Sequence, residues 1–190
     1  MIKFNNLIEE YPYLIFEEKY QKAIKANQDN VEAISISSFS KELNEVNSRF
    51  VNLKFVNKDE FIFFSNYNSP KSHEFKSHNQ VAALIYWGAI NTQIRMKGLI
   101  RKKSHDFNNN YFSNRSTQKN ALAISSEQSK KIESYEAIKE NYSKVLKTSD
   151  LKICPEYWGG FSFVPYYFEF WDGHPSRINK RDVFDKIDGS

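Results

Sequence analysis

The sequence predicts a mainly β protein with peripheral helices, an α+β fold built on a barrel or a sandwich. Three observations carry this. Five runs rich in β-branched and aromatic residues, separated by polar turns, crowd into the stretch from Val31 to Lys103. Segments with helical spacing flank that stretch, and after Pro155 the chain returns to strand-like sequence. With 190 residues, 40% of them apolar and 16% aromatic, the chain can bury one substantial core and reads as a single domain over 1–190.

An N-terminal helical segment occupies 1–28. Pro12 opens a helix whose Phe16, Tyr20, Ala23 and Ile24 fall on one side, ending near Asn27 before a turn at Asp29-Asn30. Barrel strands occupy 31–103: VEAISIS at 31–37, SRFVNLKFVN at 48–57, EFIFFSN at 60–66, QVAALIYW at 80–87 and TQIRMKGLIRKK at 92–103. Between the third and fourth, SPKSHEFKSH reads as a short helix capped by Ser69, with Pro70 at its first position. A helical excursion over 104–150 holds two helices, about Asp106 to Ser125 and Ser134 to Lys147. The second carries Glu136, Lys139, Glu140 and Lys144 on a solvated face. C-terminal strands follow over 157–182, with a turn at Asp172-Gly173-His174-Pro175.

Charge and motifs narrow the function. The 27 basic and 23 acidic residues are spread along the chain, and the net charge of +4 favours small anionic ligands over nucleic acid. Cys154 is the single cysteine, which excludes an intrachain disulfide and any multi-cysteine metal site and points to a reducing cytoplasm. Glu9, Glu10, Glu17 and Glu18 interrupt the apolar N-terminus, so neither a signal peptide nor a membrane span is expected there. The chain has no Gly-rich phosphate loop, no G-x-S-x-G and no H-E-x-x-H. His73, His78 and His105 lie in polar stretches and read as surface groups, so no metal is expected.

Two segments point to chemistry. From Trp158 to Arg181 the chain combines a Gly-Gly pair, an aromatic strand, Trp171, and Arg177 and Arg181 in a pattern suited to a flat anionic ligand. Planar side chains cover rings, and guanidinium forks bind carboxylate or phosphate in bidentate fashion. In the second segment Arg49 and Lys54 lie in a strand otherwise made of Phe50, Val51, Leu53 and Phe55, where a buried charge needs an anionic partner. Their spacing puts them on opposite faces of a regular strand. They share one ligand only if the strand bulges or twists, or if the ligand lies across a subunit boundary.

From Val31 to Arg181 the ordered anchors are SRFVNLK (48–54), FFSNYNSPK (63–71), QIRMKG (93–98), YFSNR (111–115), EQS (127–129), WGGF (158–161), EFWDG (169–173) and RINKR (177–181). With these anchors the chain resembles the pyridoxamine 5'-phosphate oxidase family of FMN-dependent enzymes. The resemblance implies an FMN-binding split β-barrel, homodimeric, with flavin at the subunit interface. It implies that Arg49, Lys54 and Lys71 hold the FMN phosphate region, with Phe64 and Ser65 beside the cofactor. Gln93, Gln128, Ser129, Trp171 and Arg181 would complete the flavin site, in part from the partner subunit. For substrate it implies Lys54, Tyr111 and Arg115 around a pyridoxyl phosphate and Arg177 over the ring being oxidised. The implied reaction is oxidation of pyridoxamine or pyridoxine 5'-phosphate to pyridoxal 5'-phosphate with oxygen as acceptor.

The chain departs from the family pattern at several positions. Asn179 stands where the family usually has a substrate-contacting His, so that position keeps a hydrogen bond but cannot titrate. Lys119 stands where a Ser usually contacts the substrate phosphate, and Pro70 where an Arg usually stands. The family pattern continues beyond Ser190 through a last strand containing Trp. These differences motivate two alternatives, the same flavin chemistry on another substrate such as a phenazine precursor, and a flavin-binding protein with little turnover.

Overall fold

The computed structural model describes residues 1–126 and 131–186. Along the chain lie β1 (Lys3–Asn5), α1 (Tyr11–Lys25), β2 (Ala33–Ser40), β3 (Glu45–Asn57), β4 (Glu60–Asn66), α2 (Pro70–Ser77), β5 (Gln80–Trp87) and β6 (Thr92–Lys102). There follow α3 (His105–Ser113), α4 (Thr117–Ser125), α5 (Tyr135–Thr148), β7 (Trp158–Asp172) and β8 (Lys180–Asp185). They form two compact units, one of Met1–Phe63, Glu74–Arg101 and the chain from Ser162 on, the other of Phe64–His73 and Lys102–Phe161.

The first unit is built on a sheet that closes on itself. Its strands run β3-β2-β5-β6-β7-β4, and β4 pairs back onto β3. β1 adds to β3 in parallel, and β8 pairs antiparallel with β7. Strict alternation along β5 explains why it forms a strand: Val81, Ala83, Ile85 and Trp87 are buried while the residues between them face out. Inside, Phe61 stacks on Phe163 at 5.2 Å and meets Phe16 edge-on at 4.9 Å. α1 contributes Tyr13, Phe16, Tyr20 and Ala23 to the interior. It ends at Lys25, and Asn27 just beyond the cap has a φ of 55°, a left-handed geometry that Asn tolerates. β1 was not foreseen, because three residues are too few to display an alternation.

β3 changes partners midway. Residues Glu45 to Asn52 pair with β2, whereas Leu53 to Asn57 pair with β4, and the β3–β4 register slips between Leu53 and Phe55. Lys54 therefore sits on a bulge, one of the conditions under which Arg49 and Lys54 could share a ligand.

The second unit holds the helical excursion. The expected single helix from Asp106 to Ser125 is instead two, α3 and α4. Arg115 N–H donates to Phe112 O at 3.0 Å, closing α3, and Ser116 takes extended geometry as the residue before α4. Asn120 Nδ2 also donates to Phe112 O at 2.8 Å, so the carbonyl at the end of α3 is satisfied from the next helix. The run Ser113-Asn114-Arg115-Ser116 favours such a break, since Ser and Asn compete with the helix for backbone bonds. α5 starts after Ser134 as expected, the Ser134 hydroxyl accepting from Ala137 N–H at 3.0 Å. Ser69 precedes α2, but its hydroxyl donates to Asn66 O and accepts from Lys71 instead of capping the helix. Among the described residues, no helix is long and apolar enough to cross a membrane.

Candidate active site

In the first unit, Arg49 is anchored by a carboxylate that the sequence did not single out. Its NH2 donates to Glu74 Oε2 at 2.7 Å, and its NH1 to Ser38 Oγ at 2.6 Å and Ile36 O at 3.2 Å. Glu74, on α2, is 6% exposed and also accepts from Ser38 Oγ and from Asn47 Nδ2. The buried charge in the apolar strand thus has its anionic partner. Lys54 is served separately, by Glu32 at 3.6 Å. The bulge meets one condition for a shared ligand, and among the described residues the two cations have different ion-pair partners, Glu74 and Glu32.

The outer face of the same sheet collects Gln93, Trp171 and Arg181. Thr92 Oγ1 to Asp172 at 2.7 Å, Arg95 to Glu169 at 3.2 Å and Lys97 over Tyr167 at 4.6 Å fit one antiparallel register between β6 and β7. That register sets Gln93 opposite Trp171, which in turn pairs with Arg181 on β8. Glu169 is buried and lies 3.9 Å from Arg181 Nε. Exposed Phe50, Leu84 and Val183 stand on the same sheet, an apolar fringe around these polar groups.

Beyond β7 the chain carries Arg177 and Asn179. Asp172 is gripped by Lys19 Nζ at 2.6 and 2.7 Å and by Thr92. Burial alone would raise the Asp172 carboxyl, but these hydrogen bonds and the charges of Lys19 and Lys180 hold it below its usual value. The turn falls at His174 to Arg177, two residues later than expected, with Arg177 N–H donating to His174 O at 2.8 Å. Arg177 is exposed and has a φ of 60°, a left-handed geometry costly for a residue that is neither Gly nor Asn.

In the second unit an aromatic stack organises the site. Phe64 lies 3.7 Å from Tyr111 and 5.1 Å from Trp158, with all three rings nearly parallel. Arg115 sits over Trp158 at 4.5 Å and donates to Asn120 Oδ1 at 3.3 Å. Among the described residues no carboxylate is within ion-pair distance of Arg115. Burial draws its guanidinium below the usual value, and burial likewise raises the Tyr111 phenol, which Arg115 partly offsets. Lys71 is buried, and its Nζ donates to Ser65 Oγ and Ser69 Oγ, each at 3.1 Å. Lys71 and Ser65, two residues assigned to the cofactor, are therefore in direct contact. Lys119 is exposed on α4. Gln128 and Ser129 lie outside the described residues.

Sequence reasoning missed Glu74 and Asn108. The need of Arg49 for an anion could have pointed to Glu74, the one acidic residue of α2. Asn108 accepts from Gly160 N–H at 2.8 Å and donates to Tyr67 Oη at 3.0 Å, and the Tyr67 hydroxyl donates to Gly160 O at 3.0 Å. A Cβ on Gly159 would come within 2.4 Å of Asn108 Nδ2, so glycine is required there for close approach.

Comparison with known proteins decides the family. Over 177 residues the chain is 37% identical to the pyridoxine/pyridoxamine 5'-phosphate oxidase of Colwellia psychrerythraea, covering 92% of this chain and 81% of the relative. The chain belongs to the pyridoxamine 5'-phosphate oxidase family. A relative of the same name, numbered 1, in Hydrogenovibrio crunogenus is 30% identical, covering 93% of this chain and 82% of the relative. Residues 158–190 match the pyridoxine 5'-phosphate oxidase C-terminal dimerisation region. The fold is similar to that of PhzG from Burkholderia lata, solved with tetrahydrophenazine-1-carboxylic acid, at a TM-score of 0.86 and 20% identity, covering 94% of this chain and 88% of PhzG. It is also similar to a pyridoxamine 5'-phosphate oxidase-related, FMN-binding protein of Nostoc punctiforme, at a TM-score of 0.71 and 9% identity, covering 94% and 100% of the two chains. The closed sheet with its flanking helices is accordingly the split barrel of a family of FMN-dependent oxidases. Within the second unit, buried Lys71 beside Ser65 and the ring of Phe64 are groups whose chemistry suits such a cofactor.

Proposed function

We propose that the protein oxidises pyridoxamine or pyridoxine 5'-phosphate to pyridoxal 5'-phosphate, with FMN as cofactor and oxygen as acceptor, as a homodimer with flavin at the subunit interface. The identity of 37% with the Colwellia oxidase over 92% of the chain is what supports this most. Arg49, Lys54 and Lys71 would hold the cofactor phosphate region, and Ser65 and Ser69 already orient Lys71 by hydrogen bonds. Gln93, Trp171 and Arg181, with Gln128 and Ser129, would complete the flavin site, Arg181 and Gln93 stabilising negative charge that builds on the ring. When bound, FMN supplies a hydride acceptor that passes its electrons to oxygen and yields hydrogen peroxide.

On the substrate side, Tyr111, Arg115 and Lys119 would take the phosphate together with Lys54. Arg115 fits this role because it is half-buried without a carboxylate among the described residues. The stack of Phe64, Tyr111 and Trp158 would exclude water, and Arg177 would orient the substrate ring for transfer. The amine route takes up water and releases ammonia, whereas the alcohol route needs neither. Purified protein is expected to be yellow, to release FMN on denaturation and to consume oxygen with pyridoxamine 5'-phosphate. Flavin-loaded protein that shows no oxygen uptake with this substrate would overturn the assignment.

A second reading keeps the flavin and replaces the substrate with another anionic ring compound, such as a phenazine-type intermediate. Asn179 and Lys119 favour it, since both stand where the family pattern has other substrate-contacting groups. Turnover of such a compound, with none of pyridoxamine 5'-phosphate, would select it.

A further inference from the structure

The loop from Gly173 to Asn179 is exposed from His174 on, and Ile178 is 79% exposed, so apolar packing does not set its shape. Its conformation rests on polar contacts made within the loop and at its entry. Gly173 N–H donates to Asn91 O at 2.9 Å, and a Cβ at Gly173 would lie 2.2 Å from Asn91 Nδ2, which fixes where the loop begins. His174 is then the hub of three bonds. Its N–H donates to Asn179 Oδ1 at 3.0 Å, its Nδ1 accepts from Ser176 N–H at 3.2 Å, and its carbonyl accepts from Arg177 N–H at 2.8 Å. The residue these bonds enclose is Arg177, at a φ of 60°. A non-Gly residue persists in that region only where its surroundings over-determine it.

We propose that Asn179 and His174 form a polar clamp that holds Arg177 in its left-handed conformation, making Asn179 a positioning residue for the arginine and not a group that touches substrate. This rests on the assignment of Arg177 to the substrate ring. The side-chain oxygen of Asn179 is committed to the His174 amide, so the clamp uses the acceptor half of the side chain. A substrate contact would instead use the Nδ2 donor. Asp at this position keeps the acceptor and loses the donor, while Leu loses both, so the two roles separate.

The test compares wild type, Asn179→Leu and Asn179→Asp, all loaded with FMN, by amide hydrogen exchange of His174 and Arg177 and by kcat and KM for pyridoxamine 5'-phosphate. Asn179→Leu is expected to speed exchange at both amides and to lower kcat/KM about fivefold, the size of one exposed hydrogen bond, with FMN content unchanged. Asn179→Asp is expected to recover most of both losses. Wild-type exchange rates in Asn179→Leu would overturn the clamp. So would an Asn179→Asp variant with protected amides and activity as low as that of Asn179→Leu, since the donor would then be the group that matters. Flavin-loaded wild type that leaves pyridoxamine 5'-phosphate unoxidised sinks the proposed reaction instead, and the exchange comparison still decides the clamp.

Discussion

Replacing Asn108 with Leu should cost the protein a measurable part of its stability, because Asn108 serves two buried groups at once. It is 4% exposed, takes the Gly160 N–H through Oδ1 at 2.8 Å and gives Nδ2 to Tyr67 Oη at 3.0 Å. Leu has nearly the same shape and neither function. Gly160 is buried, so its N–H would lose its acceptor without gaining water, at about 1–3 kcal/mol, and the lost bond to Tyr67 adds about 1 kcal/mol. The sum, about 2–4 kcal/mol, corresponds to a fall in melting temperature of roughly 4–16 °C for a chain of this length. Thermal melts of both proteins at one concentration and equal FMN saturation measure it. A melting temperature within about 1 °C of wild type would refute the reasoning, because it would mean that the Gly160 N–H is satisfied in some other way. Asn108→Leu should also disturb Trp158, two residues before Gly160, and with it the stack on Phe64.

Three further outcomes are expected. Glu74→Leu strands the Arg49 guanidinium, whose side chain is only 20% exposed, and urea unfolding should show a loss of about 3 kcal/mol, the lower end for breaking a buried pair; a loss below about 1 kcal/mol would show that Ser38 and Ile36 suffice. Arg177→Leu should abolish oxygen uptake with pyridoxamine 5'-phosphate and leave FMN bound, whereas loss of flavin would move Arg177 to the cofactor. The third concerns alkaline pH: burial pushes the Cys154 thiol up to about 11 from 9.0, with Arg115 opposing, so folding favours the protonated thiol. Its contribution is whole below about pH 9 and is lost as pH rises toward about 11. Melting temperature should therefore fall over that window less steeply in Cys154→Ala than in wild type, and parallel curves would count against the assignment.

The strands were legible because each displays its own period. β5 and β4 run over the residues expected for them, and β6 ends one residue early. The Trp158 to Arg181 segment and the anchors around it were enough to point to the family. Besides β1 and the roles of Glu74 and Asn108, three features were not legible. The break between α3 and α4 depends on Asn120 reaching back to Phe112 O, a contact set by how the two helices pack. The start of β3 at Glu45 is drawn out by pairing with β2 across the Asn44 turn, where φ is 52°. The turn after β7 moved because Asp172 still belongs to the strand, held there by Lys19 from α1 and Thr92 from β6.

Side-chain type and local spacing thus indicated most of the strands and which of their faces are apolar, since those properties belong to neighbouring residues and need no knowledge of the rest, while the flavin chemistry came from the ordered anchors shared with the family. The partners were decided by tertiary structure alone: Glu74 for Arg49, Glu32 for Lys54, Ser65 for Lys71, and His174 for Asn179. A charge or an amide in the sequence states only that it needs a partner of opposite character. Which one it finds depends on how the sheet closes and where β3 bulges, and those follow from burial summed over the whole chain.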